Sequence, residues 1–188
     1  MTAGLVFHPL TLKRWQDIEQ LFERDSVCRA CWCMWWSLSA SQWTKQRGRE
    51  NKEALKAIVK SGKAPGILAY SNGVPIGWCS IAPREEFPRL ERSRTLKRVD
   101  DNPVWSVVCF FVAKPYRKKG VSTMLLKAAI DYAKEHGAKI VEGYPNRYDK
   151  KQPDPFVFMG VASAFQKVGF TEVIARSKTR VIMRYTIK

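Results

Sequence analysis

Val104-Trp105-Ser106-Val107-Val108-Cys109-Phe110-Phe111-Val112, followed by Ala113-Lys114-Pro115-Tyr116-Arg117-Lys118-Lys119-Gly120-Val121-Ser122, decides how the rest of the chain is read. The first nine residues are apolar almost throughout, as in a strand buried on both faces, and Pro115 soon ends the run. From Gly120, the residues Val121, Met124, Leu125, Ala128, Ala129 and Tyr132 recur at helical spacing. The pattern stops at His136-Gly137, where glycine supplies a left-handed cap. Lys139 to Tyr144 then reads as the next strand. A strand, a crossover helix and a strand in this order predict a parallel pair.

Working outward, Leu5 to His8 reads as a first strand, and Thr11 as the cap of a helix bearing Trp15, Ile18, Leu21 and Phe22. A second helix, Arg49 to Lys60, turns Leu55, Ile58 and Val59 inward and ends at Gly62. Ile67 to Tyr70 and Val74 to Ala82 flank Ser71-Asn72-Gly73, a hairpin signal. The charged stretch Pro83 to Pro103 reads as a long surface excursion. Beyond the loop Pro145 to Pro155 come a short helix, Gly160 to Val168, and a closing hairpin of Val173 to Arg176 with Val181 to Thr186. No repeat or linker divides the chain, so residues 1–188 are expected to form a single α/β domain with a mixed sheet.

Chemistry concentrates in the turn before Gly120. A helix N-terminus offers backbone N–H groups without internal partners, and its dipole favours an anion. Gly120 and Ser122 are small enough to let a pyrophosphate approach the backbone, and Arg117, Lys118 and Lys119 bring positive charge to it. This arrangement resembles the GNAT superfamily of acyl-coenzyme A N-acyltransferases. Arg117, Gly120 and Ser122 fall on its motif of Gln or Arg, two residues, Gly, one residue, then Gly or Ala, with Ser in the last place. Ala164-Phe165-Gln166-Lys167-Val168-Gly169-Phe170 is similar to the family's late helix, and the order of elements matches from Leu5 to Ile187.

The resemblance implies a mostly antiparallel sheet of about six or seven strands with a central splayed parallel pair and about four helices. It implies acetyl-CoA as co-substrate, its pantetheine arm on the backbone of Phe110, Phe111 and Val112. The amides of Arg117, Lys118, Lys119, Gly120, Val121 and Ser122 would hold the pyrophosphate, and Phe165 would border the coenzyme. The acceptor would be a small-molecule or peptide amine, and a homodimer is left open. Where the family often has a tyrosine that protonates the leaving thiolate, this chain has Phe165. Glu142 and Tyr144 share one strand face by two-residue alternation and are the candidates for base and acid. A backbone N–H near Val112 would stabilise the oxyanion.

Cys28-Arg29-Ala30-Cys31-Trp32-Cys33-Met34-Trp35-Trp36 stands apart from these elements. In the resembling fold it borders the acceptor side, which makes Trp32, Met34 and Trp35 candidate substrate contacts, because tryptophan faces attract ammonium groups. A structural zinc site needs four ligands, so these thiols are expected to be reduced and free of metal. Cys79 and Cys109, inside apolar runs, read as buried hydrophobes. Five cysteines, no leader-like start and no apolar run of ~18 residues predict a cytoplasmic protein without a membrane span. The formal net charge of +16 suits polyanions, which keeps a nucleic-acid-binding protein as the rival from another class. No recognisable nucleic-acid motif accompanies that charge. A catalytically idle sensor of the same fold is the third reading, suggested by Phe165.

Overall fold

The structure is a computed structural model that describes residues 4–147 and 158–188. Residues 148–155 of the expected loop lie outside them. Among the described residues seven strands form one sheet: β1 (Leu5–Pro9), β2 (Gly66–Ser71), β3 (Val74–Pro83), β4 (Trp105–Val112), β5 (Ile140–Gly143), β6 (Thr171–Ile174) and β7 (Ile182–Thr186). Their order is β1-β2-β3-β4-β5-β7-β6, and only β4 with β5 runs parallel. The helix between them, residues 121–135, is the expected crossover.

Helices α1 (Trp15–Glu23), α2 (Ser26–Cys31), α3 (Ala40–Lys45) and α4 (Arg49–Lys60) precede β2. A short α5 (Pro88–Glu91) follows β3, then come α6 (Val121–Glu135) and α7 (Ala162–Gln166). Thr11 precedes a 3-10 turn, Leu12–Arg14, and makes no capping bond, so α1 begins later than its sequence suggests. The buried stripe of α6 is Val121, Leu125, Leu126, Ala129, Ile130 and Ala133. Met124, Ala128 and Tyr132 are only half-buried at its border, a small rotation from the predicted face. This stripe joins Ile76, Ile81, Val107 and Val141 in the main core. The other sheet face packs Trp78 and Leu68 against Ile18, Phe22, Trp32 and Leu55.

Two features of the fold depart from the sequence reading. Pro83 to Pro103 is not a surface excursion: Arg84, Phe87, Leu90 and Leu96 are buried, and the last three form a third core with Val108, Tyr144 and Ile182. Nor is β4 buried along its whole length, because Cys109 to Val112 are half-exposed. The cause lies in the pairing with β3. Ser80 faces Cys109 while Ile81 faces Val107, so Val108 is an extra residue. A bulge of this kind bends its strand. Directly before it, the β4–β5 ladder ends at the pair Val107 and Gly143. The parallel strands therefore open into a cleft, the splayed pair that the family resemblance implied.

Gly143 sits at the root of that opening. A Cβ built there would lie 2.1 Å from Cε1 of Phe165, so the aromatic ring occupies the space a side chain would need. Gly143→Ala is expected to lose roughly 1–3 kcal/mol, the usual range for overpacking a core. An unchanged urea midpoint would show that Phe165 is not wedged against β5.

Candidate active site

The cleft beyond Val107 and Gly143 leads into a cavity of about 740 Å³. Its floor is Cys109, Phe110 and Phe111 of β4, and its walls come from residues 25–47, from residues 93–96 and from Arg180. Backbone geometry aims donors into the cleft. The amide of Ala113 donates to the Ile76 carbonyl on β3, so by strand alternation the amides of Phe110 and Val112 point the other way. The Phe110 amide donates to the Phe158 carbonyl, which borders the same cavity.

Past β4 the chain makes a 3-10 turn, Lys114–Tyr116, and enters α6. Lys118 (φ 59°) and Gly120 (φ 76°) are both left-handed, and this folds the Arg117 to Ser122 backbone into a concave turn ahead of the helix. Among the described residues, chain neighbours apart, no atom lies within 4 Å of a Cβ built on Gly120, so the turn is open to a ligand. Arg117 does not project freely. Its Nε donates to the Val112 carbonyl at 2.8 Å and ties the turn to the end of β4.

Glu142 and Tyr144 do lie on one face together, but that face is closed. Glu142 is 1 % exposed and Tyr144 is 0 % exposed. Arg84 donates from NH1 to Glu142 Oε1 at 3.0 Å, and Arg184 donates from Nε to Oε2 at 2.8 Å. The Tyr144 hydroxyl donates to Glu142 Oε1 at 2.8 Å and accepts from Arg84 at 2.7 Å. Its single proton is spent on Glu142, so the Ser106 hydroxyl, 2.7 Å away, must be the donor to Tyr144. Burial, then the neighbouring carboxylate, pushes the Tyr144 phenol well above its ordinary pKa. Neither side chain lines the cavity. The expected base and acid are instead parts of an ion-pair network, because the segment read as a surface excursion folds back and seals them.

Phe165, expected beside the coenzyme, is 1 % exposed and packs edge-on against Phe110 and Phe170. It supports the cleft floor from behind. The aromatic stretch divides as well. Asp25 caps α2, and the helix ends where Trp32 (φ 47°) and Cys33 (φ 57°) turn left-handed. This turn drives Trp32 inward, stacked on Trp15 at 6.1 Å, and Met34 is buried with it. Neither touches the cavity. Trp35 does, together with Trp36 and Trp43, which the sequence reading left out.

Four thiols, Cys28, Cys31, Cys33 and Cys109, also line the cavity. Cys109 is thus half-buried at a surface and not a core residue as expected. Cys33 accepts hydrogen bonds from Cys109, from Trp78 Nε1 at 3.3 Å and from Ser80, which together hold its thiol below the ordinary pKa despite burial. Cys109, the donor of that pair, is pushed up correspondingly. Among the described residues no group of three or more His, Cys, Asp or Glu is arranged to hold a metal ion. No described helix is long and apolar enough to cross a membrane.

A family model described as Acetyltransferase (GNAT) family matches residues 32–148, more than half of the chain. The chain belongs to this family. Acetyl transfer is therefore its general chemistry. No curated protein matches by sequence. Solved structures match in fold across nearly the whole chain. PaiA N-acetyltransferase from Thermoplasma acidophilum, in complex with coenzyme A, has a TM-score of 0.56 at 15 % identity, covering 98 % of this chain and 99 % of that one. A GNAT acetyltransferase from Streptococcus agalactiae gives 0.58 at 14 % identity, covering 99 % and 97 %. A chain of the NatC complex bound to Gag peptide and CoA gives 0.57 at 12 % identity, covering 98 % and 99 %. The GNAT fold, with its opened parallel pair, is the one the sequence predicted.

Proposed function

We propose that this GNAT domain moves the acetyl group of acetyl-CoA to a primary amine by direct attack. The observation that carries the reading is the opening of β4 from β5 beyond Val107 and Gly143, with an aromatic cavity along the cleft. The concave turn at Gly120 follows directly on β4. In this reading the pantetheine arm follows Phe110, Phe111 and Val112, and the amides of Arg117 to Ser122 hold the pyrophosphate, with Lys118 and Lys119 adding charge. Coenzyme entry displaces the Phe158 carbonyl from the Phe110 amide. The Val112 N–H, aimed into the cleft, stabilises the oxyanion of the tetrahedral intermediate.

The acceptor enters as the free amine, a small molecule or the amino group of a peptide, along Trp35 and Trp36. Its nitrogen attacks the thioester carbonyl, the C–S bond breaks, and the amine proton passes to water. A simple thiol has a pKa of about 8.5, so the thiolate leaves at neutral pH without a protein acid. Glu142 and Tyr144 serve as positioning residues that fix β5 against β4, and Phe165 supports Phe110 from behind.

The test is release of free thiol from acetyl-CoA across amines, peptides, aminoglycosides and polyamines. Acceptor-dependent release well above hydrolysis is expected for at least one class, which also rules out an idle sensor. Saturable coenzyme A binding with no thiol release from any amine would favour the sensor. Absence of coenzyme binding, with salt-dependent nucleic-acid retention, would favour the rival class.

A further inference from the structure

The cavity carries a charge imbalance that transfer to a simple amine does not require. Among the described residues its lining contains the guanidinium groups of Arg47 and Arg180, besides that of Arg117 held on the Val112 carbonyl, and one carboxylate, Asp25. That carboxylate is engaged, since its Oδ1 accepts from the amides of Val27 and Cys28 at 3.0 and 3.1 Å. Among the described lining residues, an ammonium ion entering here finds no free carboxylate to receive it.

Arg180 is the most informative of the three. Burial depresses its pKa, and among the described residues NH1 donates to the Tyr144 carbonyl, at 2.9 Å, and to Met159 Sδ, with no carboxylate paired to it. A half-buried cation without a described counter-charge gains from a ligand that supplies one. Two further donors lie idle nearby. Trp36 lines the cavity at 8 % exposure, and its Nε1 is buried without a partner. Behind the wall, Arg89 stacks on Trp35 at 3.9 Å with Nε and NH2 buried and unpartnered. These cations do not belong to the pyrophosphate turn, because Lys118 to Ser122 do not line the cavity and only Arg117 is common to both.

Resting on the acetyl-transfer reading above, we infer that the acceptor is an amine that also bears a carboxylate, paired with Arg180, and an apolar body of aromatic size against Trp35 and Trp36. Such a ligand supplies the missing negative charge, an acceptor for the Trp36 N–H and a surface for the indole faces. The same carboxylate places the molecule by its far end and leaves its amine free for the thioester.

The experiment compares N-acetyl-L-tryptophan with N-acetyltryptamine, which share the indole and the acetamide and differ by the carboxylate. Both are titrated calorimetrically into the full chain loaded with coenzyme A. The acid is expected to bind about tenfold tighter or more, as a charge-assisted pair gives. Arg180→Met should abolish that preference while leaving N-acetyltryptamine and coenzyme A affinities in place, and Arg180→Lys should restore part of it. Equal or weaker binding of the acid, no binding of either probe, or a preference that survives Arg180→Met would overturn the inference. Coenzyme A is titrated first by itself. Its failure to bind counts against acetyl transfer, and the same two probes on the unloaded chain then decide the carboxylate site independently.

Discussion

Glu142→Gln is expected to lower folding stability by about 3 kcal/mol while leaving the pH dependence of turnover as in the parent chain. The magnitude follows from what the substitution strands. Removing one partner of a buried ion pair typically costs about 3–5 kcal/mol, because the opposite charge stays buried. Here two guanidiniums lose a carboxylate, but each keeps another. Arg84 Nε still reaches Glu91 at 2.6 Å, and Arg184 still reaches Asp100 at 2.6 and 3.1 Å. This places the loss at the lower end of the range, on the order of 10 °C in Tm for a chain of this size. The outcome separates two roles. A general base would lose about 10²–10⁴-fold in rate together with the acidic limb of the profile, at nearly unchanged Tm. That pattern would return Glu142 to catalysis. The pair Arg84→Met with Glu142→Leu removes both charges and should recover part of the stability, as apolar replacements of buried ion pairs do.

The same network marks where sequence reasoning stopped. Two-residue alternation correctly put Glu142 and Tyr144 on one face, yet it says nothing about what covers that face. The cover is Arg84, 58 residues away from Glu142, in a segment whose charges made it read as solvent-exposed. One buried arginine, bonded as well to the Leu96 carbonyl at 2.7 Å, pins that segment down, and no local pattern signals it. The parallel pair and the Gly120 turn were legible because strand, turn and helix are each written in consecutive residues. The opening of the pair was expected only through the family resemblance, since its cause is one unmatched residue, Val108, opposite the Ser80–Ile81 step of another strand. Aromatic composition likewise announced a wall, but of the expected members Trp32, Met34 and Trp35 only Trp35 lines the cavity. Which tryptophans face the cavity depends on two successive left-handed residues, Trp32 and Cys33, held there by packing on Trp15, Phe22 and Trp78.

Gly120→Asp should weaken coenzyme A binding by about 100-fold or more, equivalent to ~2.7 kcal/mol. Two physical effects add. The backbone at Gly120 has φ 76°, a conformation that costs most L-residues roughly 1 kcal/mol or more and aspartate somewhat less. The larger effect is electrostatic, because the new carboxylate stands where the helix N-terminus and Lys118 and Lys119 would receive the pyrophosphate, and it competes for the same amides. Among the described residues nothing beyond its chain neighbours lies within 4 Å of the added Cβ, so the variant should fold and the loss should fall on binding. Gly120→Ala separates the two effects. It imposes the backbone cost without charge and should lose only a few-fold in affinity, at a similar Tm. Raising the salt concentration should narrow the gap between the two variants, since exposed charges at this turn are screened over about 10 Å at 0.1 M. Calorimetry on the parent and both variants, each at two ionic strengths, reads all of this directly. Wild-type affinity in Gly120→Asp would remove the pyrophosphate from this turn, and with it the direction in which the pantetheine arm has been laid along β4.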